Sequence, residues 1–397
     1  MKILRQKINL HFICFLFLTI IFSPFILVQA AEEPEFDLTA KSAVLMEAET
    51  GEIVYSKNPN KRLPPASMTK VMTMLLVMEA IEDGRVSLDD EIVVSEYAAS
   101  MGGSQIWLEV GEKMTLDELM RAIAIASAND ASVAVAEYLY GTADNFIERM
   151  NERARELGLE DTYFYNTTGL PPGDADVEGN YSSAYDLAVL SRELLKYPQI
   201  VKWTSTWIDY LRDGDSVLNN TNRLVRHYRG ADGLKTGFIQ EAKFCVASTA
   251  TRNNLRFISV ILGADTSDDR FNEAARLLTY GFNIYEALTI ADKGEVIAEI
   301  DIKNSRQDKV KVTIPEELSI PLRKDEEENI NRQIGINKNI KAPLKAGDPV
   351  GKMTILKNNS IINEVDLIVD QDVEKANISQ MIAKFLNQVV IDITKLF

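Results

Sequence analysis

The chain has 397 residues, is 46% apolar and carries a formal net charge of -16. So acidic a surface argues against nucleic acid as a partner and fits a soluble, exported protein. The length allows two domains.

Residues 1–30 carry Lys2, Arg5 and Lys7, then an apolar stretch through Phe12, Phe15, Leu18, Ile21 and Phe25, and close on Val28-Gln29-Ala30-Ala31. That order predicts a secretory signal peptide and an exported, extracytoplasmic protein. A retained membrane anchor is the weaker reading, because Ser23-Pro24 interrupts the stretch. No cysteine stands at the cut, so a lipid-anchored form is not indicated. Cys14 and His11 would leave with the signal, so Cys245 and His227 would stand alone. The mature chain is then expected to have no internal disulfide, no multi-histidine zinc site and no cofactor. A Ser-His-Asp triad would have to use His227, which reads as a loop residue.

Residues 42–46 and 53–55 read as strands of a hairpin turned at Glu49-Thr50-Gly51. Leu63-Pro64-Pro65-Ala66-Ser67-Met68-Thr69-Lys70 follows, and after it an almost continuous apolar run over 71–80. Two prolines and that run predict a helix opened at Ser67 and buried on most sides. Residues 91–94 look like a strand. Residues 97–112, rich in Ala, Gly and Ser, predict a loop folded over something, with Met101, Trp107 and Leu108 able to pack. Helical spacing covers 116–126, 131–140 and 146–157, with Ser127-Ala128-Asn129-Asp130 as a loop between the first two. Residues 166–173 are turn chemistry throughout, and 182–186 cap the next helix. Residues 233–238, 244–248 and 257–262 read as strands of the same antiparallel sheet as the first hairpin, with Lys235 to Gly237 at its edge.

Near residue 286 the helical pattern stops. Residues 296–302, 310–314 and 365–369 alternate in period two, which predicts a small all-β domain over 288–374. The end of the chain places Met381, Ile382, Phe385, Leu386, Val389, Ile393 and Leu396 at helical spacing. The organisation read from sequence is therefore a signal peptide over 1–30, a catalytic domain over 36–286, the β domain over 288–374 and an amphipathic tail over 377–397. Such a tail is too polar to span a bilayer but can lie on a membrane surface.

Three short stretches carry chemistry. In Ser67-Met68-Thr69-Lys70 the amine lies one helical turn from the hydroxyl and can take its proton. Alone, such a pair is more often a helix cap with a solvated lysine. Here Ser127-Ala128-Asn129 and Lys235-Thr236-Gly237 accompany it, each in a matching context of interhelical loop and edge strand. Ser67, at a helix start, has its N–H free to hold a developing oxyanion. Lys70 acts as a base only when neutral, so it should be buried near other cations, of which Lys235 is one. Ser127 can relay a proton to the leaving amine, and Asn129 can hold a peptide bond of the substrate. Lys235 and Thr236 suit a carboxylate, and Gly237 removes a side chain where substrate backbone would run.

In this order the three motifs match the penicillin-recognising serine acyltransferases. The chain resembles the low-molecular-mass penicillin-binding proteins that are D-alanyl-D-alanine carboxypeptidases, over nearly all of its mature length. The resemblance extends to Asn166 to Pro171, to Tyr181-Ser182-Ser183 and Asp186, and to the C-terminal β domain and tail. It implies an α/β (α+β) catalytic domain, an antiparallel sheet beside a helical subdomain, with the cleft between them. It implies removal of the terminal D-alanine from peptidoglycan stem peptides through an acyl-enzyme on Ser67, with β-lactam antibiotics as covalent inhibitors. It also implies that the N–H of Phe238 is the second oxyanion donor and that Arg270 binds the substrate carboxylate. Relatives often carry histidine or another polar residue where this chain has Phe238; the backbone donor is unaffected. A serine β-lactamase is the runner-up among enzymes, but the Glu-x-x-Leu-Asn motif of class A is not found. A non-catalytic wall-binding or sensing homologue would be expected to have lost at least one motif residue.

Overall fold

The computed structural model describes residues 36–174, 176–324 and 330–382; the leader and most of the tail, 383–397, lie outside the described residues. Strands β1 (Ser42–Glu47) and β2 (Ile53–Lys57) form the first hairpin. A 3-10 turn over Ala66–Thr69 leads into α1 (Lys70–Glu82), so Ser67 sits on a tight turn just ahead of the α-helix. Residues 71 to 77 of α1 are all buried. A helix apolar on every face can satisfy itself only at the centre of a fold, and α1 occupies that place.

β3 (Glu91–Val93), α2 (Glu96–Ala99) and β4 (Lys113–Thr115) come next, with irregular chain between α2 and β4. α3 (Leu116–Arg121) starts at a Thr115–Glu118 capping box and runs on as a π-helical stretch over Ala122–Ala126. The chain breaks at Ser127, in the left-handed region with φ 66°, and resumes as α4 (Asn129–Tyr140). Asn129 and Asp130 thus open a helix, where the sequence suggested a loop. α5 (Ala143–Glu156) and α6 (Ala184–Leu194, capped by Ser183) join α4 around α1. Then come α7 (Pro198–Thr204), the hairpin of β5 (Ile208–Leu211) and β6 (Ser216–Asn219), and the single turn α8 (Leu224–His227). Exposed His227 closes that turn, its ring edge-on to Trp207.

β7 (Ala231–Ile239), β8 (Lys243–Arg252) and β9 (Leu255–Ala264) complete the main sheet. Its order is β2-β1-β9-β8-β7, antiparallel throughout, and β7 is an edge strand as the sequence suggested. α9 (Ser267–Ile284), begun by a Thr266–Asp269 capping box, packs on β8 and β9.

A second hydrophobic core forms beyond α9. Its strands are β10 (Tyr285–Ala291), β11 (Val296–Ile300), β12 (Val310–Thr313), β13 (Leu318–Arg323), β14 (Ile330–Ile336), β15 (Pro349–Lys357) and β16 (Ser360–Val369). They pair as a five-stranded sheet, β11-β12-β16-β15-β14, and a β10-β13 ribbon. Val310, Val312, Val350, Met353, Ile355, Leu367 and Val369 fill the space between them. Residues 378–382 are helical. Among the described residues no helix is long and apolar enough to cross a membrane.

Candidate active site

The turn that carries Ser67 is held from two sides. Ala66 is buried at φ 50°, a strained position for a residue with a side chain. Its carbonyl accepts the Thr69 hydroxyl at 2.8 Å, and that hydroxyl in turn accepts the Asn180 amide at 2.8 Å. Gly169, at φ +81°, presses so closely on this turn that a Cβ there would lie 1.9 Å from the Ala66 carbonyl oxygen. From the opposite side comes the edge strand. A Cβ on Gly237 would stand 2.6 Å from the Pro65 carbonyl oxygen and 3.3 Å from the Ser67 nitrogen. The glycine of Lys235-Thr236-Gly237 therefore makes room for the protein's own serine turn, a nearer constraint than the substrate backbone inferred from sequence.

Behind the half-buried Ser67 lies Lys70, fully buried. Its Nζ donates to Ser67 Oγ at 3.1 Å, to Asn129 Oδ1 at 2.6 Å and to the Thr168 carbonyl at 2.9 Å. Burial first, and the charge of Lys235 second, hold this amine well below the usual lysine range against the opposing pull of Asp130. The Thr168 carbonyl is itself positioned by Asn166, whose Oδ1 accepts the N–H groups of Thr168 and Gly169 at 3.1 and 2.7 Å.

The second motif supplies the other wall. Asn129 Nδ2 donates to the Gly102 carbonyl at 2.6 Å, and its backbone N–H donates to the Ser104 carbonyl at 2.7 Å. The buried carboxylate of Asp130 accepts the N–H groups of Ile106 and Leu108, each at 3.1 Å. What the irregular loop folds over is thus the N-terminus of α4. Ser127, 3% exposed, lies two positions before Asn129, and its hydroxyl makes no hydrogen bond to Ser67 or Lys70.

On β7, Lys235 is buried, and its Nζ donates to the Thr236 carbonyl at 3.0 Å. Burial, then the neighbouring Arg270, push its amine down to about 7. The Thr236 hydroxyl donates to Thr221 Oγ1 at 2.7 Å. Phe238 is 55% exposed and its ring lies 4.6 Å from that of Phe244, so the side chain stacks along the strands. Arg270 lies beneath the strand: its Nη1 donates to the carbonyls of Gly237 and Cys245 at 3.1 and 3.3 Å, and the side chain sits against the Phe244 and Phe271 rings. Burial above all lowers it to about 10. Its hydrogen bonds to β7 and β8 are with backbone carbonyls, so it braces β7 and lends charge to the site from below.

Ser67, Lys70 and Asn129 are thus in one hydrogen-bonded cluster, with Lys235 close enough to bias Lys70, while Arg270 touches the site only through β7. Asp130, Asn166, Thr168, Asn180 and Thr221 were not singled out from sequence. Asp130, Asn180 and Thr221 meet their partners only in the folded chain, whereas Asn166 and Thr168 belong to one local turn, whose composition was a signal.

A serine hydroxyl beside a buried amine that resists protonation, facing a glycine-bearing edge strand, defines an active-serine acyl-transfer site on a mixed α/β fold. Residues 28–266 match the family model described as D-alanyl-D-alanine carboxypeptidase, and residues 285–375 match that of the penicillin-binding protein 5 C-terminal domain. The chain belongs to the D-alanyl-D-alanine carboxypeptidase family. It is 44% identical over 341 residues to D-alanyl-D-alanine carboxypeptidase DacF of Bacillus subtilis (strain 168), covering 85% of this chain and 86% of that one. Among solved structures, PBP3 of Streptococcus pneumoniae, described as a peptidoglycan synthesis regulatory factor, superposes with a TM-score of 0.72 at 30% identity, covering 85% of this chain and 100% of that one. Penicillin-binding protein D2 of Listeria monocytogenes in its ampicillin-bound form gives 0.57 at 33% identity, covering 63% and 100%.

Proposed function

We propose that this protein is a serine D,D-carboxypeptidase that removes the terminal D-alanine from peptidoglycan stem peptides through an acyl-enzyme on Ser67. The observation that carries the reading is the 3.1 Å contact between Ser67 Oγ and the Nζ of a buried Lys70 whose charged form is disfavoured. Neutral Lys70 takes the hydroxyl proton while Oγ attacks the carbonyl carbon of the penultimate D-alanine. The N–H groups of Ser67 and Phe238 stabilise the oxyanion. Ser127 passes the proton to the departing D-alanine nitrogen as the peptide bond breaks, and water then hydrolyses the ester. Asn129 holds the substrate's preceding peptide bond. Lys235, Thr236 and Arg270 favour the terminal carboxylate, Arg270 through its charge beneath β7.

A β-lactam opened by Ser67 keeps its amine tethered, so its ester persists. Labelling with a fluorescent penicillin, followed by mass spectrometry, is expected to place the adduct on the Ser67 peptide, and Ser67→Ala is expected to abolish it. Adduct on another serine would overturn the assignment.

The proposed organisation is a signal peptide over 1–30, a catalytic domain over 36–286, a β domain over 288–374 and a tail over 377–397. Export follows from the leader's charge and hydropathy order. The tail's apolar stripe from Ile382 to Leu396 is proposed to rest on the outer face of the cytoplasmic membrane. The mature chain should then sediment with liposomes, and a chain cut at 376 should not. Equal recovery of both in the supernatant would exclude the attachment.

A further inference from the structure

Trp107 is 75% exposed, although the residues on either side of it, Ile106 and Leu108, are buried. Its backbone sits at φ 60°, outside the regions a bulky residue prefers. Leaving so large an apolar face in water sacrifices burial energy, and the strained backbone adds to that cost. Both persist because the backbone is clamped. Asp130 accepts the N–H groups of Ile106 and Leu108. Arg212, reaching over from the β5–β6 connection, donates to the Ile106 carbonyl at 2.9 Å and the Trp107 carbonyl at 3.4 Å. The indole is held outward by a clamp made of Asp130 and Arg212, neither of which bonds to Ser67 or Lys70.

Beside the ring lies a recess of about 680 Å³ lined by Trp107, Glu109, Val110, Gly111, Glu112 and Arg212. Its size suits a ring-sized ligand. Its polar groups are largely paired: Arg212 Nε and Nη2 donate to the two Glu112 carboxylate oxygens at 2.7 and 3.1 Å. That pairing neutralises Glu112 and leaves Glu109 as the unmatched charge. With Glu112 paired, a cation would find a single carboxylate, Glu109, and an anion would be repelled by it. A neutral ligand with an apolar ring face and several hydroxyl or amide groups meets an aromatic platform and, in the Glu109 and Glu112 carboxylates, acceptors for its own N–H and O–H groups.

The recess belongs to the same wall as the catalytic cluster. The loop that carries Trp107 also supplies the Gly102 and Ser104 carbonyls that hold Asn129. Trp107 lies three positions beyond Ser104, at most about 11 Å of chain, and a stem peptide of about five extended residues reaches about 17 Å. With its carboxylate end at Lys235 and Thr236 and its preceding peptide bond on Asn129, as proposed above, a stem peptide is long enough to reach this loop.

We propose that Trp107 and its recess form a saccharide subsite that stacks a hexosamine ring of the glycan strand bearing the stem peptide. This rests on the carboxypeptidase reading and names the part of the substrate beyond the peptide.

The test compares two substrates on the full-length protein: a free pentapeptide ending in D-Ala-D-Ala, and the same peptide on its N-acetylglucosamine–N-acetylmuramic acid disaccharide. The wild type is expected to favour the sugar-bearing substrate in kcat/KM, chiefly through KM. Trp107→Ala should reduce that preference roughly three- to tenfold, the worth of one aromatic stacking contact, and Trp107→Phe should restore part of it. No preference in the wild type, or a preference that survives Trp107→Ala, would overturn the proposal. So would a Trp107-dependent preference that follows a free side-chain amine on the peptide and disappears on acetylating that amine, since the recess would then read a cation. Titration of Ser67→Ala with the disaccharide peptide, read by tryptophan fluorescence with and without Trp107, decides the subsite independently of turnover. Failure to cleave either substrate would sink the carboxypeptidase reading instead.

Discussion

Replacing Lys235 by methionine is expected to stabilise the fold while damaging function, and the size of the effect follows from the buried amine. Folding takes this group from an ordinary value of 10.5 down to about 7, burial being the main cause. Below pH 7 the unfolded chain keeps its proton easily and the folded chain holds it at a cost; at about 1.36 kcal/mol per pH unit the cost is on the order of 5 kcal/mol. The folded value lies below the unfolded one, so stability is full above pH 10.5 and is lost as pH falls toward 7. Methionine has similar length and no charge, but forfeits the 3.0 Å bond to the Thr236 carbonyl, worth about 1 kcal/mol. Urea unfolding should therefore find Lys235→Met more stable by roughly 2–4 kcal/mol at pH 6, within the range seen when buried ions give way to apolar groups. The gap should shrink by about 2–3 kcal/mol at pH 9. The same change removes a cation that lowers Lys70, so the rise of penicillin acylation with pH should move to higher pH. A gap that is equal at both pH values, or a variant less stable at pH 6, would refute the claim that Lys235 is held against its own solvation.

Lys70→Ala should fold, by circular dichroism, and acylate with penicillin at least about a hundredfold more slowly, the usual worth of a positioned base; near-normal acylation would require another base. Gly237→Ala puts a Cβ 2.6 Å from the Pro65 carbonyl oxygen, so β7 must move off the Ser67 turn. It should cost about 1–3 kcal/mol in urea unfolding and slow acylation as well. Wild-type acylation would show that this contact does not set the geometry of the serine.

What could be read from the sequence is what local pattern dictates. A run apolar on all sides marked α1 as the central helix, and turn residues between alternating strands put Lys235 to Gly237 at a sheet edge. The second core was harder to read. β13 alternates Leu318, Ile320 and Leu322 onto the core but contains Pro321, which argues against a strand, and β14 is exposed over most of its length, so it shows no alternation with a buried face. The π-helical stretch was missed for a different reason: its Ala-Ile-Ala-Ile-Ala composition is compatible with an ordinary helix, and the break comes from Ser127 at positive φ. The motifs located the groups proposed to react, but the meaning of Gly237 and Arg270 depended on neighbours distant in sequence.

The division between legible and hidden residues has a physical basis in this site. Ser67 and Lys70 are one helical turn apart, so their contact follows from local geometry and can be inferred before any tertiary structure exists. Lowering the charge on Lys70 needs more: burial by α1's neighbours, Lys235 on β7, and carbonyl acceptors from Thr168 and the amide oxygen of Asn129. Those groups come from four separated segments. Two of them are fixed by a polar side chain bonded to backbone: Asn166 fixes Thr168, and Asp130 fixes the loop over Asn129. A buried acceptor left without its donor costs about 1–3 kcal/mol, so loss of such a bond would loosen the geometry around Lys70 without touching a motif residue. The reactivity proposed for the Ser-x-x-Lys pair is therefore a property of the assembled wall, whose groups reach Lys70 from segments far away in sequence.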